Sequence, residues 1–250
     1  MTNLPSDLEK ALDDAAATPR LLVASDFDGT LAPIVDDPAK ARPLARAAAA
    51  LVALAELPST DVALVSGRAL AVLREYSGMP ASVHLVGSHG AEFDTGFAHD
   101  VDDALLATIT AELETIAEGR PGVTVETKPA SVAVHVRNAS AEDGAAALDE
   151  ARAVGEAAGT EITSGKAVLE FAVISTDKGE AVDILREQTT ATAVTFFGDD
   201  VTDEKAFRRM RTADVGVKVG SGETLARHRV SSPDDVAAAL EHLLRRRRDR

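Results

Sequence analysis

The 250-residue chain contains no cysteine and no tryptophan, and it has a single tyrosine, Tyr76. The absence of cysteine excludes disulfides, thiolate metal sites and cysteine nucleophiles. Seven phenylalanines are the remaining aromatic residues, so the core has to be built mainly from alanine, valine and leucine. At 45% hydrophobic residues, the chain can bury one large core or two smaller ones.

Positive charge and long apolar runs are also scarce. The formal net charge of −15 at pH 7 argues against non-specific binding to nucleic acid or anionic membranes, because both need a basic surface. The apolar run at 47–55 is far shorter than the roughly 20 residues of a membrane-spanning helix. The acidic N-terminal segment does not resemble a signal peptide. We therefore expect a soluble, cytoplasmic protein, with the terminal RRRRDR as the solvated end of the last helix.

Apolar runs alternate with helix-like segments in the two outer parts of the chain. Strands that are apolar on both faces and alternate with helices are typical of a parallel sheet covered on both sides. The predicted strands are 21–25, 62–66, 83–86, 194–197 and 215–219. The predicted helices are 43–56, 69–76, 178–188, 203–211 and 233–247.

The middle of the chain breaks this alternation. Two helix-like segments, 101–118 and 141–158, are each followed by a pair of strand-like segments joined by a short turn. Such an αββαββ order needs hairpins instead of crossovers. We therefore predict an α/β fold: a doubly wound parallel-sheet core formed by 1–96 and 175–250, with a smaller α/β domain inserted at 97–174.

Polar residues follow four of the predicted core strands at their carboxyl ends. The sequences are DFDGT at 26–30, SGR at 66–68, GSHGAE at 87–92 and GDDVTD at 198–203. In a doubly wound sheet, ligands bind outside this edge. We therefore expect the four segments to contribute to one site.

Aspartates dominate these segments. The five expected to meet are Asp26, Asp28, Asp199, Asp200 and Asp203. Such a cluster requires a hard cation, and carboxylates with water and phosphate oxygens are what Mg²⁺ selects. A small hydroxyl beside a backbone N–H, as in Ser66-Gly67, and a lysine that begins a helix, as in Lys178-Gly179, both suit phosphate oxygens. An aspartate can form an aspartyl-phosphate, and a second one two residues later can protonate the leaving oxygen.

Each motif taken alone has an ordinary structural explanation. Aspartates with glycine are common in turns, helix caps and calcium loops. The segment is not an EF-hand loop. Such a loop needs Asp or Asn at position 30, Gly at 31 and Glu at 37, and this chain has Thr30, Leu31 and Asp37. The GDDVTDE segment by itself would fit a turn and a helix cap. All the motifs in this order, each at the expected strand or helix end, favour phosphoryl transfer.

In this order, DFDGT, SGR, DKG and GDDVTD resemble the four motifs of the haloacid dehalogenase-like phosphatase superfamily. The resemblance implies a nucleophile, a general acid/base, phosphate contacts and a Mg²⁺ site. The implied roles are nucleophile for Asp26, acid/base for Asp28, phosphate contact for Ser66, and contact with the nucleophile and phosphate for Lys178. Mg²⁺ binding is implied for Asp26, for Asp199 and, through its carbonyl, for Asp28, with Asp200 and Asp203 in support. It also implies that the insertion is a cap domain.

Longer segments resemble the trehalose-6-phosphate phosphatases in particular. They are DFDGTLAPI, ALVSGR, GSHGAE, KPASVAVHVRN, GKAVLEF, DKGEAV and FFGDDVTDE, spread over about residues 20–240. The resemblance implies hydrolysis of trehalose 6-phosphate in trehalose biosynthesis, by a monomer with a trehalose-6-phosphate synthase as a candidate partner. The substrate-binding residues expected are Gly67, Arg68, His89, Glu92, Lys128, Arg137, Lys166 and Glu170.

Three other functions stay open on the sequence. One is a phosphatase for another sugar phosphate, such as a sucrose or mannosylglycerate phosphate, and another is a phosphomutase. The third is a non-catalytic subunit of a sugar-phosphate synthase. This last function predicts the loss of the nucleophile or of a metal-binding aspartate, and the sequence retains all of them.

Overall fold

The structure, a computed structural model, describes residues 4–249. The chain divides into two compact units: Met1–Ala98 with Thr176–Arg250, and His99–Ser175. The first contains a mainly parallel sheet and the second an antiparallel sheet, so the predicted α/β class with an αββαββ insertion is confirmed. The roles of catalytic core for 1–96 with 175–250 and of cap for 97–174 stay predictions.

The described residues form eight α-helices, two short 3-10 helices and twelve strands. The α-helices are α1 (Ser6–Ala16), α2 (Ala45–Ala55), α3 (Leu70–Ser77), α4 (Asp103–Ala117), α5 (Ala141–Ala158), α6 (Lys178–Thr189), α7 (Asp203–Arg208) and α8 (Pro233–Arg248). The strands are β1 (Leu21–Ser25), β2 (Thr60–Val65), β3 (Val83–Gly87), β4 (Glu92–Phe93), β5 (Gly96–Phe97), β6 (Thr124–Lys128), β7 (Ser131–His135), β8 (Glu161–Gly165), β9 (Val168–Ala172), β10 (Ala193–Gly198), β11 (Val215–Val219) and β12 (His228–Val230).

The larger unit places β1 in the middle of its sheet, in the order β12-β11-β10-β1-β2-β3-β4-β5. Strand β1 pairs in parallel with both β10 and β2, and Ser25 lies opposite Phe197 on one side and Leu64 on the other. The carboxyl ends of these three strands therefore meet at one edge. The strand order changes direction at this point, because the chain runs from β1 to β2 and β3 on one side and from β10 to β11 and β12 on the other. Doubly wound sheets bind ligands at such a switch point.

Both faces of this sheet are buried, which explains the nearly continuous apolar strands. Leu21 and Val23 of β1 pack on one face with residues of α1, α2 and α8. Leu22 and Ala24 pack on the other face with residues of α6 and α7. Because successive side chains of a strand point to opposite faces, a strand buried on both sides needs apolar residues throughout.

The smaller unit is an antiparallel sheet in the order β6-β7-β9-β8. One face carries an apolar cluster, with Val132, Val134 and Phe171, that packs against α4 and α5. By alternation, Ser131 and Glu170 belong to the opposite face. The smaller unit thus has its own hydrophobic core and one polar sheet face.

Several elements were not predicted. The first is α1, whose apolar face consists of Leu8, Leu12, Ala15 and Ala16, all buried among acidic neighbours. The others are short: β4 and β5 have two residues each, and β12 has three. Within residues 4–249, no helix combines the length and the apolarity needed to cross a membrane.

The expectation of a solvated arginine tail is wrong for Arg247. Its guanidinium donates hydrogen bonds to the carbonyl oxygens of Ala16 and Thr18, at 2.9 and 2.5 Å, and to that of Ser59 at 2.7 Å. It also donates to the Thr60 hydroxyl at 3.0 Å. The last turn of α8 therefore fixes the end of α1 and the start of β2, because one fork of donors satisfies several loop carbonyls.

Candidate active site

Asp26 begins the site, directly after β1. Its N–H donates to the carbonyl of Phe197 on β10 at 2.8 Å, and the residue is 4% exposed. Its Oδ1 lies 2.9 Å from Nζ of Lys178, the first residue of α6. The same Nζ lies 2.7 Å from Oδ1 of Asp203, which is fully buried at the start of α7. A buried ammonium thus bridges two carboxylates that belong to different elements.

Burial dominates the electrostatics of this group. It raises the pKa of Asp26 to about 8, since lost hydration outweighs the attraction of Lys178 and Asp203 adds repulsion. Burial alone would lower the pKa of Lys178, but Asp26 and Asp203 together raise it. Lys178 therefore stays a cation. Its single charge does not balance the acids around it, so a further cation would favour the ionised form of Asp26.

Three carboxylates form a candidate metal site. Asp26, Asp199 and Asp203 each place one oxygen within 4.8 Å of the other two. Burial also raises the pKa of Asp199, although Thr30 Oγ1 donates to its Oδ1 at 3.0 Å. Three carboxylates and one ammonium leave two negative charges, which a divalent cation would balance. An all-oxygen donor set of this kind fits a hard cation.

The other two acids of the predicted five have different neighbours. Asp28 pairs with Arg68, whose Nε and Nη2 lie 2.6 and 2.7 Å from its two carboxylate oxygens. Asp200 Oδ1 accepts from the Val201 N–H at 2.7 Å. The assignment of Asp26, Asp28 and Asp199 as metal ligands stays a prediction, as does the supporting role of Asp200 and Asp203.

Glycines allow the chain to approach these acids closely. Gly29 has a φ of +76°, and a Cβ there would lie 2.1 Å from Asp199 Oδ2. At Gly198, a Cβ would lie 2.4 Å from Asp203 Cγ. Gly29 of the DFDGT motif is therefore required for two reasons: its backbone is left-handed, and a side chain there would collide with Asp199.

A cavity of about 540 Å³ opens at this edge of the sheet. Most residues predicted from the core motifs line it: Asp26, Asp28, Ser66, Gly67, Arg68, His89, Lys178, Asp199 and Asp200. Asp203 is buried and does not line it, and Glu92 is buried and contacts the Ser88 hydroxyl. The cavity lining thus combines carboxylates with hydroxyl, guanidinium, imidazole and ammonium groups.

The loops after β2 and β3 pack tightly against each other. Ser66 Oγ accepts from the Arg68 N–H at 3.2 Å, and the Ser66 carbonyl accepts from the His89 N–H at 2.9 Å. Ser88 and His89 both have positive φ, at 47° and 56°. A Cβ at Gly67 would lie 2.4 Å from the His89 ring. Such strained backbone is typical of functional loops.

In the smaller unit, the structure brings two of the predicted sugar-binding residues together. Lys128 Nζ donates to Glu170 Oε2 at 2.8 Å, and Ser131 Oγ donates to Oε1 at 2.7 Å. Arg137 and Lys166 are exposed and lie beyond the end of the sheet at which His135 pairs with Val168. Lys128 lies at the opposite end, where it pairs with Ser131.

Comparison with known proteins assigns the chain to a family. The trehalose-phosphatase family model matches residues 24–237. The chain belongs to the trehalose-phosphatase family. A curated relative, the trehalose-phosphate phosphatase of Mycobacterium marinum, is 37% identical over 256 residues, which cover 95% of this chain and 65% of the relative. The chain therefore spans about two thirds of the length of that relative.

Solved structures agree with this assignment. The trehalose-6-phosphate phosphatase of Aspergillus fumigatus superposes with a TM-score of 0.71 at 28% identity, over 98% of this chain and 99% of that one. A haloacid dehalogenase-like hydrolase from Bacteroides thetaiotaomicron gives a TM-score of 0.68 at 15% identity, over 89% and 98% of the two chains. The second match shows the fold alone. The predicted resemblance to the trehalose-6-phosphate phosphatases is thereby confirmed, and so is the predicted haloacid dehalogenase-like fold.

Sequence reasoning missed some residues that support the site of this trehalose-phosphatase family member. Thr30 lies inside the DFDGT motif, yet its bond to Asp199 was not anticipated. Lys218 of β11 is 4% exposed and donates to the main-chain carbonyl of Asp199. A single lysine in the otherwise apolar strand VGVKV was the available signal, because a buried ammonium needs an acceptor.

Proposed function

We propose that the protein hydrolyses trehalose 6-phosphate to trehalose and phosphate, with Mg²⁺ as the metal and Asp26 as the nucleophile. The observation that carries the proposal is the buried Asp26–Lys178–Asp203 group beside Asp199 at the cavity, in a chain of the trehalose-phosphatase family. The Mycobacterium marinum relative is a trehalose-phosphate phosphatase, which supports the substrate. Donor chemistry supports the metal, since carboxylate oxygens select hard divalent cations.

In the first half-reaction, Asp26 attacks phosphorus and the bond to the sugar oxygen breaks. Lys178 holds the attacking carboxylate in place and neutralises phosphoryl charge, and Ser66 would contact a phosphate oxygen. Asp28 gives its proton to the departing oxygen, so trehalose leaves as an alcohol. The metal, when bound by Asp26 and Asp199, would supply the remaining positive charge.

In the second half-reaction, water hydrolyses the phospho-Asp26 intermediate. Asp28, now a carboxylate, takes a proton from the water as its oxygen bonds to phosphorus. Cleavage of the bond between phosphorus and Asp26 releases phosphate and regenerates the free carboxylate. Each proton that Asp28 gives in the first step is thus recovered in the second.

The remaining predicted roles belong to this proposal. His89, Glu92 and Gly67 of the larger unit, with Lys128, Arg137, Lys166 and Glu170 of the smaller one, would bind the substrate. What supports a sugar-binding role for Glu170 is its place among donors on a polar sheet face. The monomeric state, a trehalose-6-phosphate synthase partner and a cytoplasmic location are likewise proposals.

Asp26→Asn tests the proposed nucleophile. The amide keeps the shape of the side chain but cannot attack phosphorus, so turnover should fall by several orders of magnitude, as is typical of a lost covalent nucleophile. Acid-quenched wild-type enzyme should carry phosphate on Asp26, and the variant should carry none. Asp36→Asn is the matched control, since Asp36 is exposed and outside the cavity. Residual activity above about 1% of wild type would refute the assignment.

A further inference from the structure

Both carboxylate oxygens of Asp28 are held by one side chain. Arg68 Nε donates to Oδ2 at 2.6 Å and Nη2 donates to Oδ1 at 2.7 Å. This bidentate pairing fixes the plane of the carboxylate as well as its distance. The guanidinium lines the cavity but is only 15% exposed, and Asp28 raises its pKa. Two of the three guanidinium nitrogens, Nε and Nη2, are therefore already used on a protein carboxylate.

Arg68 is in turn held by three contacts. Its Nη2 donates to the Pro38 carbonyl at 3.0 Å. Its guanidinium carbon lies 5.6 Å from the centre of the Phe27 ring and 5.1 Å from that of Tyr76. These are cation–π distances, which favour one position of the planar group. Together they define an Arg68 clamp formed by Phe27, Pro38, Arg68 and Tyr76.

A second arginine supports the clamp from outside. Arg42 lies 4.7 Å from the Tyr76 ring centre, and its Nη1 donates to the carbonyls of Ala39 and Ala41 at 2.9 and 2.7 Å. Tyr76 thus lies close to two guanidinium groups, both anchored on the carbonyls of residues 38–41. The single tyrosine of the chain therefore reports directly on this region.

Asp28 lies outside the regular strands. It forms an isolated β-bridge with Ala32 and precedes Gly29, which turns the chain with a positive φ. A general acid is effective only when its proton lies within hydrogen-bond reach of the departing oxygen. We propose that Arg68 is a positioning residue for Asp28 rather than a substrate ligand, and that Tyr76 holds Arg68 in place. This inference rests on the proposed function.

The proton transfer is compatible with the clamp, because each Asp28 oxygen keeps a lone pair that Arg68 does not use and that can carry the proton. When the bond between phosphorus and the sugar oxygen breaks, the Asp28 O–H bond also breaks and an O–H bond forms on the sugar. The carboxylate that results faces the fixed guanidinium, which stabilises it. In the second half-reaction, the same carboxylate accepts a proton from water while the clamp keeps its orientation.

The test uses the dependence of rate on the leaving group. An alkoxide needs a proton in order to leave, whereas p-nitrophenolate leaves without one. We would compare kcat/KM for trehalose 6-phosphate, phenyl phosphate and p-nitrophenyl phosphate, because kcat/KM reports on steps up to release of the alcohol. The variants are Asp28→Asn, Arg68→Ala, Arg68→Lys and Tyr76→Leu, with Arg74→Met as the control. Arg74 is exposed on the same helix as Tyr76 and is outside the clamp.

Asp28→Asn sets the reference. Loss of a general acid typically costs about 10²–10⁴-fold, and this loss should be largest for trehalose 6-phosphate and smallest for p-nitrophenyl phosphate. Arg68→Ala should show the same order of losses. Its loss in kcat/KM should be at least about tenfold larger for trehalose 6-phosphate than for p-nitrophenyl phosphate. Arg68→Lys should show the same losses as Arg68→Ala, since an ammonium cannot donate the two parallel hydrogen bonds of a guanidinium. Added guanidinium ion should restore Arg68→Ala on the sugar substrate.

Tyr76→Leu should lower kcat/KM less than Arg68→Ala does, and again most for trehalose 6-phosphate. Tyr76→Phe should keep the wild-type kcat/KM, because the aromatic ring is retained. Thermal unfolding checks that each variant folds. The Arg68 variants retain Tyr76, and its near-ultraviolet circular dichroism should change in them. In Arg74→Met it should stay the same.

Two outcomes would overturn the inference, and they are distinct. If Asp28→Asn is selective but Arg68→Ala slows all three phosphates equally or raises their KM alike, Arg68 binds phosphate and the clamp is refuted while the proposed function stands. If Asp28→Asn itself shows no selectivity for the leaving group, Asp28 is not the acid. The proposed mechanism then fails, and the clamp fails with it.

Discussion

Asp214→Asn should destabilise the larger unit strongly, because it leaves a charge buried without its counterion. Asp214 accepts four hydrogen bonds: two from Arg186, at 3.1 and 2.5 Å, one from the Val194 N–H at 2.9 Å and one from the Arg211 N–H at 2.7 Å. The two side chains of the ion pair are 3% and 0% exposed. Breaking a buried pair on one side typically costs about 3–5 kcal/mol.

The expected change is large enough to measure by thermal or urea unfolding. For a chain of this size, each kcal/mol shifts Tm by about 2–4 °C, so the variant should melt about 6–20 °C below wild type. Asp183→Asn is the matched control. Asp183 lies on α6, the helix that carries Arg186, and the side chains of the Asp183–Arg209 pair are 28% and 45% exposed. An exposed pair contributes about 0–1 kcal/mol. If both variants lose the same small amount, the reasoning on burial is wrong.

The pH dependence gives an independent check. Burial alone would raise the pKa of Asp214, but the hydrogen bonds from Arg186, Arg211 and Val194 outweigh it and lower the pKa. A lowered pKa means that the contribution is present above the pKa of the unfolded carboxyl, about 3.9, and is lost as pH falls through the folded pKa. The difference between wild type and Asp214→Asn should therefore be constant near neutral pH and shrink in acid.

Three further predictions follow from other parts of the molecule. EDTA should abolish phosphate release, Mg²⁺ should restore it, and Asp199→Ala should weaken Mn²⁺ binding measured by electron paramagnetic resonance; activity of metal-free protein would contradict the acidic cluster. Glu170→Ala should lower kcat/KM for trehalose 6-phosphate by about 10²-fold or more, with little effect on p-nitrophenyl phosphate, whereas equal losses would indicate misfolding. Arg247→Met should cost about 1–3 kcal/mol of unfolding free energy, because several loop carbonyls lose their donor, while Arg248→Met should cost nothing measurable.

The sheet could be predicted because its strands are buried on both faces. Leu21–Ser25 is apolar at every position that packs, so both its existence and its boundaries follow from the sequence. Helix α1 was not predicted although its sequence carries the signal: Leu8, Leu12, Ala15 and Ala16 recur at the spacing of one helix face, and that face packs in the core. The two-residue strands β4 and β5 exist only through their pairing with β3.

The site was predictable where chain position alone brings residues to the edge of the sheet. Asp26 and Asp199 follow neighbouring parallel strands, so their proximity follows from the fold. Side-chain partners did not follow from the sequence. Arg68 contacts Asp28 from the loop after β2, with its guanidinium beside the ring of Tyr76. Such contacts depend on rotamers that periodicity does not encode.

Phosphate release from a panel of sugar phosphates tests the proposed substrate and the proposed nucleophile together. Wild type and Asp26→Asn would be assayed with trehalose 6-phosphate, a sucrose phosphate, a mannosylglycerate phosphate and glucose 6-phosphate, each with Mg²⁺. Our account predicts that wild type releases phosphate from trehalose 6-phosphate with a kcat/KM at least about tenfold above that of the others, and that Asp26→Asn releases none. A higher kcat/KM for another sugar phosphate, or no release from trehalose 6-phosphate, would contradict it.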